Sequence, residues 1–200
     1  MKTKLISIGN NRKLSRSIAV FNLPSHKTCP GKTSLCDKSC YAKKAERLYS
    51  NAREMRERNY IATQKSRFAD EMIKEIRESG VKLFRWHESG DWFNQQYLNN
   101  SIKIAKALPN VRFLAYTRSH HLDFSKSPKN LVIYFSYDKE SSAVEILDGY
   151  LYSFMKDKTD VLPINGHVCN PSSFGDKHHY CGDLCKYCWE GKGNVTFPIH

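Results

Sequence analysis

Apolar and polar positions alternate in two recurring patterns along this chain of 200 residues. Helices are indicated where apolar residues recur every three or four positions, over about 41–79, 94–108 and 142–155. The first of these regions is either one helix or a pair of helices broken near Ser50-Asn51, and Ser79-Gly80 is its expected end. Short apolar runs predict strands at 5–8, 18–23, 81–86, 111–116, 131–135 and 161–164.

Strands that alternate with helices indicate parallel βαβ units, here following an N-terminal hairpin. The predicted fold is α/β, with a small parallel, partial-barrel-like sheet, flanking helices and a cysteine-rich C-terminal metal-binding tail. The length suits a single domain over residues 1–200. Its parts are the hairpin and first cysteine loop (1–40), the α/β core (41–165) and a cluster-binding tail (166–200).

Polar residues follow each predicted strand of the core. They are His87, Glu88, Asp91, Thr117, Arg118, Ser136 and Asp138. Ligands bind at the carboxyl ends of parallel strands, so His87, Asp91, Thr117 and Arg118 are candidates to bind a substrate or cofactor. Arg118 suits a carboxylate or phosphate group, although a surface arginine explains it as well. Asp91 has a second interpretation as the N-cap of a helix that begins near Trp92.

Composition restricts the class of protein. The hydrophobic fraction is 40% and the charged fraction 26%, which is ordinary for a soluble globular protein. No apolar run approaches the roughly 18 residues of a membrane span, and the N-terminal apolar stretch is too short for a signal peptide. We therefore expect a cytoplasmic protein without a membrane partner. Thiols stay reduced in the cytoplasm, so the seven cysteines are interpreted as metal ligands rather than disulfides.

The cysteines form two groups. One has the spacing C-x6-C-x3-C and the other C-x11-C-x3-C-x2-C, comprising Cys29, Cys36 and Cys40, then Cys169, Cys181, Cys185 and Cys188. The second group suits a [4Fe-4S] cluster or a tetrahedral zinc ion. Only Cys185 and Cys188 form a zinc-type pair, and the aromatic residues Tyr187 and Trp189 beside them favour the cluster. Buried thiols without a metal are the third interpretation.

The number of clusters is left open between one and two. Three thiols in the first group would leave one site of a cubane cluster open, as chemistry on a bound ligand requires. In the other arrangement, some of the seven thiols share one cluster and the remaining thiols are structural.

The net charge of +12 is large for this length and predicts an anionic partner. Nucleic acid and an anionic small molecule both fit that charge, and a redox partner is expected with the cluster. Much of it lies between residues 43 and 85, where it is mixed with glutamate, a pattern typical of a solvated helix face. Nucleic acid is therefore not the favoured partner.

Several motifs from about residue 18 onward resemble a phage-encoded family, the gene product 88-like proteins. The matching motifs are Leu23-Pro24, Thr28-Cys29-Pro30-Gly31, Leu35-Cys36, Cys40-Tyr41-Ala42, Ser89-Gly90-Asp91-Trp92-Phe93, Ala115-Tyr116-Thr117-Arg118-Ser119, Cys181/Cys185/Cys188-Trp189 and Phe197-Pro198-Ile199-His200. The resemblance implies a phage protein that acts in the cytoplasm of the host cell.

A more distant similarity links the tail to radical S-adenosylmethionine enzymes. The segment from Cys181 to Cys188 resembles their C-x3-C-x-aromatic-C motif, whose cluster keeps one iron open for the methionine moiety. In those enzymes the motif follows the first strand, where this chain has the differently spaced group of Cys29, Cys36 and Cys40. The similarity implies a partial barrel and S-adenosylmethionine as a cofactor, with the tail holding an auxiliary cluster.

The predicted function is [4Fe-4S] cluster binding, with redox or radical-type chemistry at the strand ends. Whether the protein is an enzyme is left open. The alternative is a zinc-stabilised, non-catalytic nucleic-acid-binding protein, in which the basic charge binds the nucleic acid and the metal only folds the tail.

Overall fold

The computed structural model describes residues 4–9, 11, 13–141, 148–156, 160, 166–169 and 180–198. Within these residues eight strands form one sheet. The strands are β1 (Ser7–Ile8), β2 (Ile18–Phe21), β3 (Leu83–Trp86), β4 (Arg112–Thr117), β5 (Leu131–Tyr137), β6 (Leu151–Lys156), β7 (His167–Val168) and β8 (Val195–Pro198). The helices are α1 (Ser34–Lys38), α2 (Tyr41–Leu48), α3 (Ser50–Thr63), α4 (Phe68–Ser79), α5 (Gln95–Ala107), α6 (Tyr180–Asp183) and α7 (Tyr187–Glu190).

The sheet is mostly parallel. Its order is β1-β2-β3-β4-β5-β6-β8-β7, and only the β1–β2 pair is antiparallel among the described strands. Strands β2 to β6 are neighbours in chain order, and β8 lies between β6 and β7. The predicted α/β class with a parallel sheet and flanking helices is confirmed. The prediction of a small sheet is wrong, because eight of the described strands pair in one sheet.

One face of the sheet is covered by helices. Alternate strand residues such as Phe21, Phe84 and Phe113 are fully buried there, because successive side chains of a strand point to opposite faces. They pack in one core with α4 and α5. We call this the helix face. Parallel crossovers are right-handed, so consecutive helices collect on the same face.

The opposite face is covered by the C-terminal segment, and we call it the tail face. Its buried core consists of Leu14, Ile18, Val20, Leu114, Val132, Tyr134, Trp189 and Val195. Three half-buried thiols pack against that core, those of Cys169, Cys181 and Cys188. Arg112 fixes the segment to the sheet, because its Nε donates a hydrogen bond of 2.6 Å to the carbonyl oxygen of Trp189.

The predicted helix over 142–155 is wrong in its second half, where the chain forms β6. Strand β6 pairs with β5 and β8, and its Tyr152 and Phe154 pack with Phe135 and Tyr137 of β5. Pairing on both edges thus overrides the local helical pattern. Residues 142–147 lie outside the described residues, and so does the predicted strand at 161–164.

The long helical region divides between α2 and α3, which is the second of the two alternatives that the sequence left open. It divides again at residues 64–67, which the sequence did not indicate. Helix α4 ends at Gly80, whose φ of 70° is the left-handed conformation that glycine adopts easily. Within the described residues no helix is long and apolar enough to cross a membrane.

Candidate functional site

The first cysteine loop crosses the carboxyl ends of β3, β4 and β5. The Thr33 hydroxyl donates a hydrogen bond of 2.6 Å to Asp138, which follows β5. Gly31 lies against the backbone that follows β4, so closely that a Cβ atom at Gly31 would be 1.9 Å from the carbonyl oxygen of Arg118. A residue with a side chain would therefore push the loop away from the strand ends.

The three thiols of this loop, Cys29, Cys36 and Cys40, are free and half-buried. We call them the loop thiols. Burial raises the pKa of Cys29, and the charges of Asp91, Cys36 and Cys40 raise it further. The three sulfur atoms are therefore near enough to influence one another. The backbone N–H of Cys36 donates a hydrogen bond of 3.1 Å to the side chain of Thr33, which is the N-cap of α1.

Asp91 lies buried beneath the loop and joins the ends of β3 and β4. Its carboxylate accepts hydrogen bonds of 2.7 Å from the Trp92 N–H, 2.7 Å from the Thr117 hydroxyl and 2.8 Å from the Arg118 N–H. Burial raises the pKa of Asp91 to about 6, against the opposing effect of these hydrogen bonds. Asp91 and Thr117 thus hold the backbone at the strand ends.

The interpretation of Asp91 as a helix cap is wrong. Helix α5 begins at Gln95, and its N-cap is Asn94, whose side chain accepts a hydrogen bond of 2.8 Å from the Tyr97 N–H. Asp91 stands three residues before that cap, so its carboxylate is directed to β4 instead.

Arg118 is already paired within the protein. Its guanidinium donates a hydrogen bond of 2.7 Å to Asp138, whose side chain is completely buried. Burial raises the pKa of the Cys36 thiol, whereas the Arg118 charge beside it lowers that pKa. Arg118 therefore connects a loop thiol to the end of β5, and its role as a ligand-binding residue stays a prediction.

His87 follows β3 as expected, but its ring is directed into the helix-face core. The side chain is 4% exposed and its backbone φ is 38°. Its Nε2 lies 2.7 Å from the Tyr97 hydroxyl, with Trp86 and Trp92 packed against the ring. Burial, followed by the charge of Arg85, lowers the pKa of His87 to about 3. The neutral ring is thus part of the core that supports the strand ends.

The second cysteine group includes Cys181, which is attached to the segment before β2. Its N–H donates to the carbonyl of Lys13 at 3.1 Å, and its carbonyl accepts from the Ser15 N–H at 2.8 Å. The next residue, Gly182, has a φ of 97° and lies so close to Ile18 that a Cβ would be 2.7 Å from the Ile18 Cδ1. This turn therefore requires glycine.

The remaining tail thiols lie across the same face. Burial raises the pKa of the Cys188 thiol to about 12. A hydrogen bond with Tyr116 of β4 opposes this increase in the pKa, and the nearby Cys181 and Cys169 add to it. The N–H of Cys169 donates a hydrogen bond of 2.8 Å to Thr196 of β8. We call Cys169, Cys181, Cys185 and Cys188 the tail thiols. All four are half-buried.

Among the described residues, no group of three or more His, Cys, Asp or Glu side chains could hold a metal ion. A tetrahedral zinc ion with Zn–S distances of about 2.3 Å needs sulfur atoms roughly 3.8 Å apart, so the described thiols do not form a closed zinc site. The cysteine-rich tail is present, but binding of iron–sulfur or zinc by either group stays a prediction. So does nucleic-acid binding.

Sequence reasoning missed Arg85 of β3. Its neighbours in register are Val20 and Leu114, both on the tail face, so its side chain lies on that face too. A charged residue at an inward position of a strand is the signal that the sequence offered. Tyr41, at the start of α2, was also missed, and its hydroxyl donates a hydrogen bond to the carbonyl of Glu88.

Comparison with known proteins identifies relatives over most of the chain. Residues 2–197 match the family model described as Gene product 88. The Gene 88 protein of Mycobacterium phage L5 is 28% identical over 202 residues, covering 85% of this chain and 81% of that protein. The Gene 88 protein of Mycobacterium phage D29 is 29% identical over 129 residues, covering 57% of this chain and 53% of that protein.

No solved structure matches the chain. The similarity to radical S-adenosylmethionine enzymes therefore remains a prediction from the cysteine motif. The resemblance to the phage proteins is confirmed, because the family model covers nearly the whole chain, including both cysteine groups. The chain belongs to the Gene product 88 family.

Proposed function

We propose that the protein binds a [4Fe-4S] cluster through Cys29, Cys36 and Cys40 and uses it for redox or radical-type chemistry at the strand ends. The tail thiols would hold a second, auxiliary cluster. The observation that carries the proposal is the position of the loop thiols. Three free thiols of one loop are fixed over the carboxyl ends of β3, β4 and β5.

The topology supports this location. Strands β2 to β6 are parallel and follow one another in chain order, which is the order found in a (β/α) barrel and in a partial barrel. In parallel α/β folds the ligands bind outside the carboxyl ends of the strands. A loop that carries three soft ligands at this edge would place a metal centre where substrates reach the protein.

The donor set suits a cluster better than a single ion. Thiolates are the usual ligands of iron–sulfur clusters, and a cubane binds each thiolate to a different iron atom, which separates the sulfur atoms more widely than zinc does. The described thiols do not converge on one ion. Burial raises the pKa of Cys29 and Cys36, so these thiols need a bound cation to become thiolates at neutral pH.

Two residues next to the loop, Arg118 and Asp138, have specific roles in this proposal. Arg118 supplies a fixed positive charge next to Cys36, which offsets part of the negative charge of the thiolates. Asp138 holds both Arg118 and the loop residue Thr33. A cluster bound by three thiolates supplies one-electron chemistry and leaves one iron for a small molecule, of which S-adenosylmethionine is the candidate.

The first test is an absorption spectrum, with iron, sulfide and zinc content, of protein purified without oxygen. We expect a brown protein with iron matching sulfide. The triple variant Cys29→Ser/Cys36→Ser/Cys40→Ser should lose the cluster that S-adenosylmethionine perturbs. The matched variant Cys181→Ser/Cys185→Ser/Cys188→Ser should retain that cluster and lose only the auxiliary one.

Two outcomes would overturn the proposal. If the protein is colourless and contains stoichiometric zinc, its thiols bind zinc and not a cluster. If the triple variant of the loop thiols has the same iron content as the unmodified protein, the loop thiols are not ligands of the cluster. If the cluster is present but S-adenosylmethionine does not change its spectrum, the cluster assignment stands and the choice of that cofactor fails.

A further inference from the structure

Arg85 places a cationic side chain in the middle of the tail face. It lies on β3, between Val20 of β2 and Leu114 of β4 in register. Its guanidinium lies over the ring of Tyr116, with the central carbon 4.6 Å from the ring centroid. The side chain is half-buried, and stacking on Tyr116 fixes the plane of the guanidinium.

Within the described part of the chain, this guanidinium has no ion-pair partner. Among the described residues none accepts a hydrogen bond from Arg85 or forms an ion pair with it, and its Nε is buried without a partner. Other enclosed arginines differ in this respect. Arg56 pairs with Glu46 at 2.8 Å, and Arg118 pairs with Asp138 at 2.7 Å. Enclosing a charge without compensation is unfavourable, so an anion bound here would stabilise the folded protein.

Arg85 lies between the two cysteine groups. On one side is Cys181, where burial raises the thiol pKa and the nearby charge of Arg85 lowers it. Tyr41, which directly follows Cys40, is also near, since the charge of Arg85 opposes the increase in the pKa of Tyr41 that burial causes. The Tyr41 hydroxyl donates a hydrogen bond to the backbone carbonyl of Glu88. A group that contacts the guanidinium would therefore be close to both groups.

The nearest acidic side chain does not fill this role. Glu88 lies on the same side of the sheet, and its charge reaches Arg85, but no ion pair forms between them. The Glu88 carboxylate instead accepts hydrogen bonds from the side-chain amides of Asn11 and Asn22. Glu88 is thus engaged by Asn11 and Asn22 and does not pair with Arg85.

We propose that Arg85 is a binding residue for the carboxylate or phosphate group of a small molecule, held on the tail face between the loop thiols and the tail thiols. A planar guanidinium recognises both groups through paired N–H donors. Because this inference names the ligand class of the centre proposed above, it rests on the proposed function for its chemical meaning. The anion site itself can be tested separately.

The experiment measures binding of inorganic phosphate and of succinate to the full-length protein by titration calorimetry. Sodium chloride keeps the ionic strength constant. We expect saturable binding of at least one of the two anions, weakened about tenfold or more in Arg85→Gln, because a charge-assisted hydrogen bond is lost. Arg85→Lys should retain part of the affinity. Arg53→Gln, at an exposed position of α3, should bind like the unmodified protein.

Each outcome decides the proposal. Unchanged affinity in Arg85→Gln, or no saturable binding to the unmodified protein, overturns it. If Arg85→Gln loses iron or changes the cluster spectrum while anion binding persists, then Arg85 is a counter-ion of the metal centre and the proposal is wrong. If the protein binds the anion through Arg85 but contains no iron, the anion site stands and the cluster proposal fails.

Discussion

The two cysteine groups are held by different kinds of interaction. The loop thiols are positioned by polar contacts, with Asp138 accepting from both Thr33 and Arg118. Three of the tail thiols, those of Cys169, Cys181 and Cys188, are positioned by burial, since they pack on an apolar core that includes Trp189 and Val195. One group therefore lies where ligands can approach the strand ends, and the other completes the second face of the sheet.

This difference indicates a division of labour. A loop held by hydrogen bonds and one ion pair can be displaced while the sheet stays intact. A segment that covers a sheet face cannot be removed without exposing the core to water. Changes near the loop thiols should therefore affect the proposed chemistry first, and changes near the tail thiols should affect stability first.

The largest effect is expected for Trp189→Ala in α7. Trp189 is 2% exposed and packs in the tail-face core, so the free energy of unfolding should fall by roughly 3–5 kcal/mol in urea denaturation. Iron bound by the loop thiols should remain in the folded fraction. The control is Leu184→Ala in the same segment, which is 61% exposed and should change stability by less than about 0.5 kcal/mol. Equal losses in the two variants would contradict the burial argument.

Arg118→Ala should have the next largest effect, about 3 kcal/mol, because it leaves the carboxylate of Asp138 buried without its cation. Unlike the first variant, it should also lower the iron content of the loop group. Lys103→Ala is the matched control. It breaks an ion pair with Asp70 in which both side chains are more than half exposed, and should cost at most about 1 kcal/mol. If Arg118→Ala retains all of its iron, the ion pair between Arg118 and Asp138 does not contribute to iron binding by the loop thiols.

The stability of the sheet that carries both cysteine groups can be tested through His87. The pKa of His87 is lowered from an ordinary value of 6.5 to about 3 in the folded protein, so the unfolded chain binds the proton first as the pH falls. His87 therefore destabilises the protein below pH 6.5, by about 2 kcal/mol at pH 5. His87→Asn should remove this contribution, because asparagine tolerates the positive φ.

The measurement for His87 is the difference in unfolding free energy between the two proteins at about pH 7 and about pH 5. The comparison is needed because Asp91, whose pKa is raised to about 6, acts in the opposite direction and stabilises the fold as the pH falls below that value. A difference that does not change with pH would mean that folding does not lower the pKa of His87.

The smallest effect is expected for Thr33→Ala. The variant removes the N-cap of α1 and one hydrogen bond to Asp138, and should cost about 1 kcal/mol. Because Thr33 holds the loop over β5, iron bound by the loop thiols should also be released more readily to a chelator. Thr33→Ser keeps the hydroxyl and should restore both properties. Failure of serine to restore them would exclude the hydroxyl as the cause.

Sequence patterns predict the parts of the fold in which burial is local. Strands β2 to β5 are short apolar runs, and each lies within two residues of its predicted position at its first residue. The prediction of a helix at β6 is wrong because the strand depends on pairing with β5 and β8, and β8 is about forty residues further along the chain. Such pairing leaves no local signal.

The candidate site shows the same limit. Asp91, Thr117 and Arg118 follow their strands as the pattern indicates, but their partners are set by tertiary contacts. Arg118 has the fork geometry for an anion and yet pairs with Asp138, twenty residues away. Arg85 lies inside a predicted strand, where its lack of a partner can be recognised only in three dimensions.

The position of β8 between β6 and β7 sets an order of assembly. In the described sheet β7 pairs only with β8, so residues 167–168 can join it only after residues 195–198 have done so. The polar contacts of the cysteine loop, by contrast, reach no further along the described chain than Ser141. A nascent chain on the ribosome can therefore assemble the loop centre well before the tail centre. If the proposed clusters bind, their loading would follow in that sequence, with the tail completing the described sheet last.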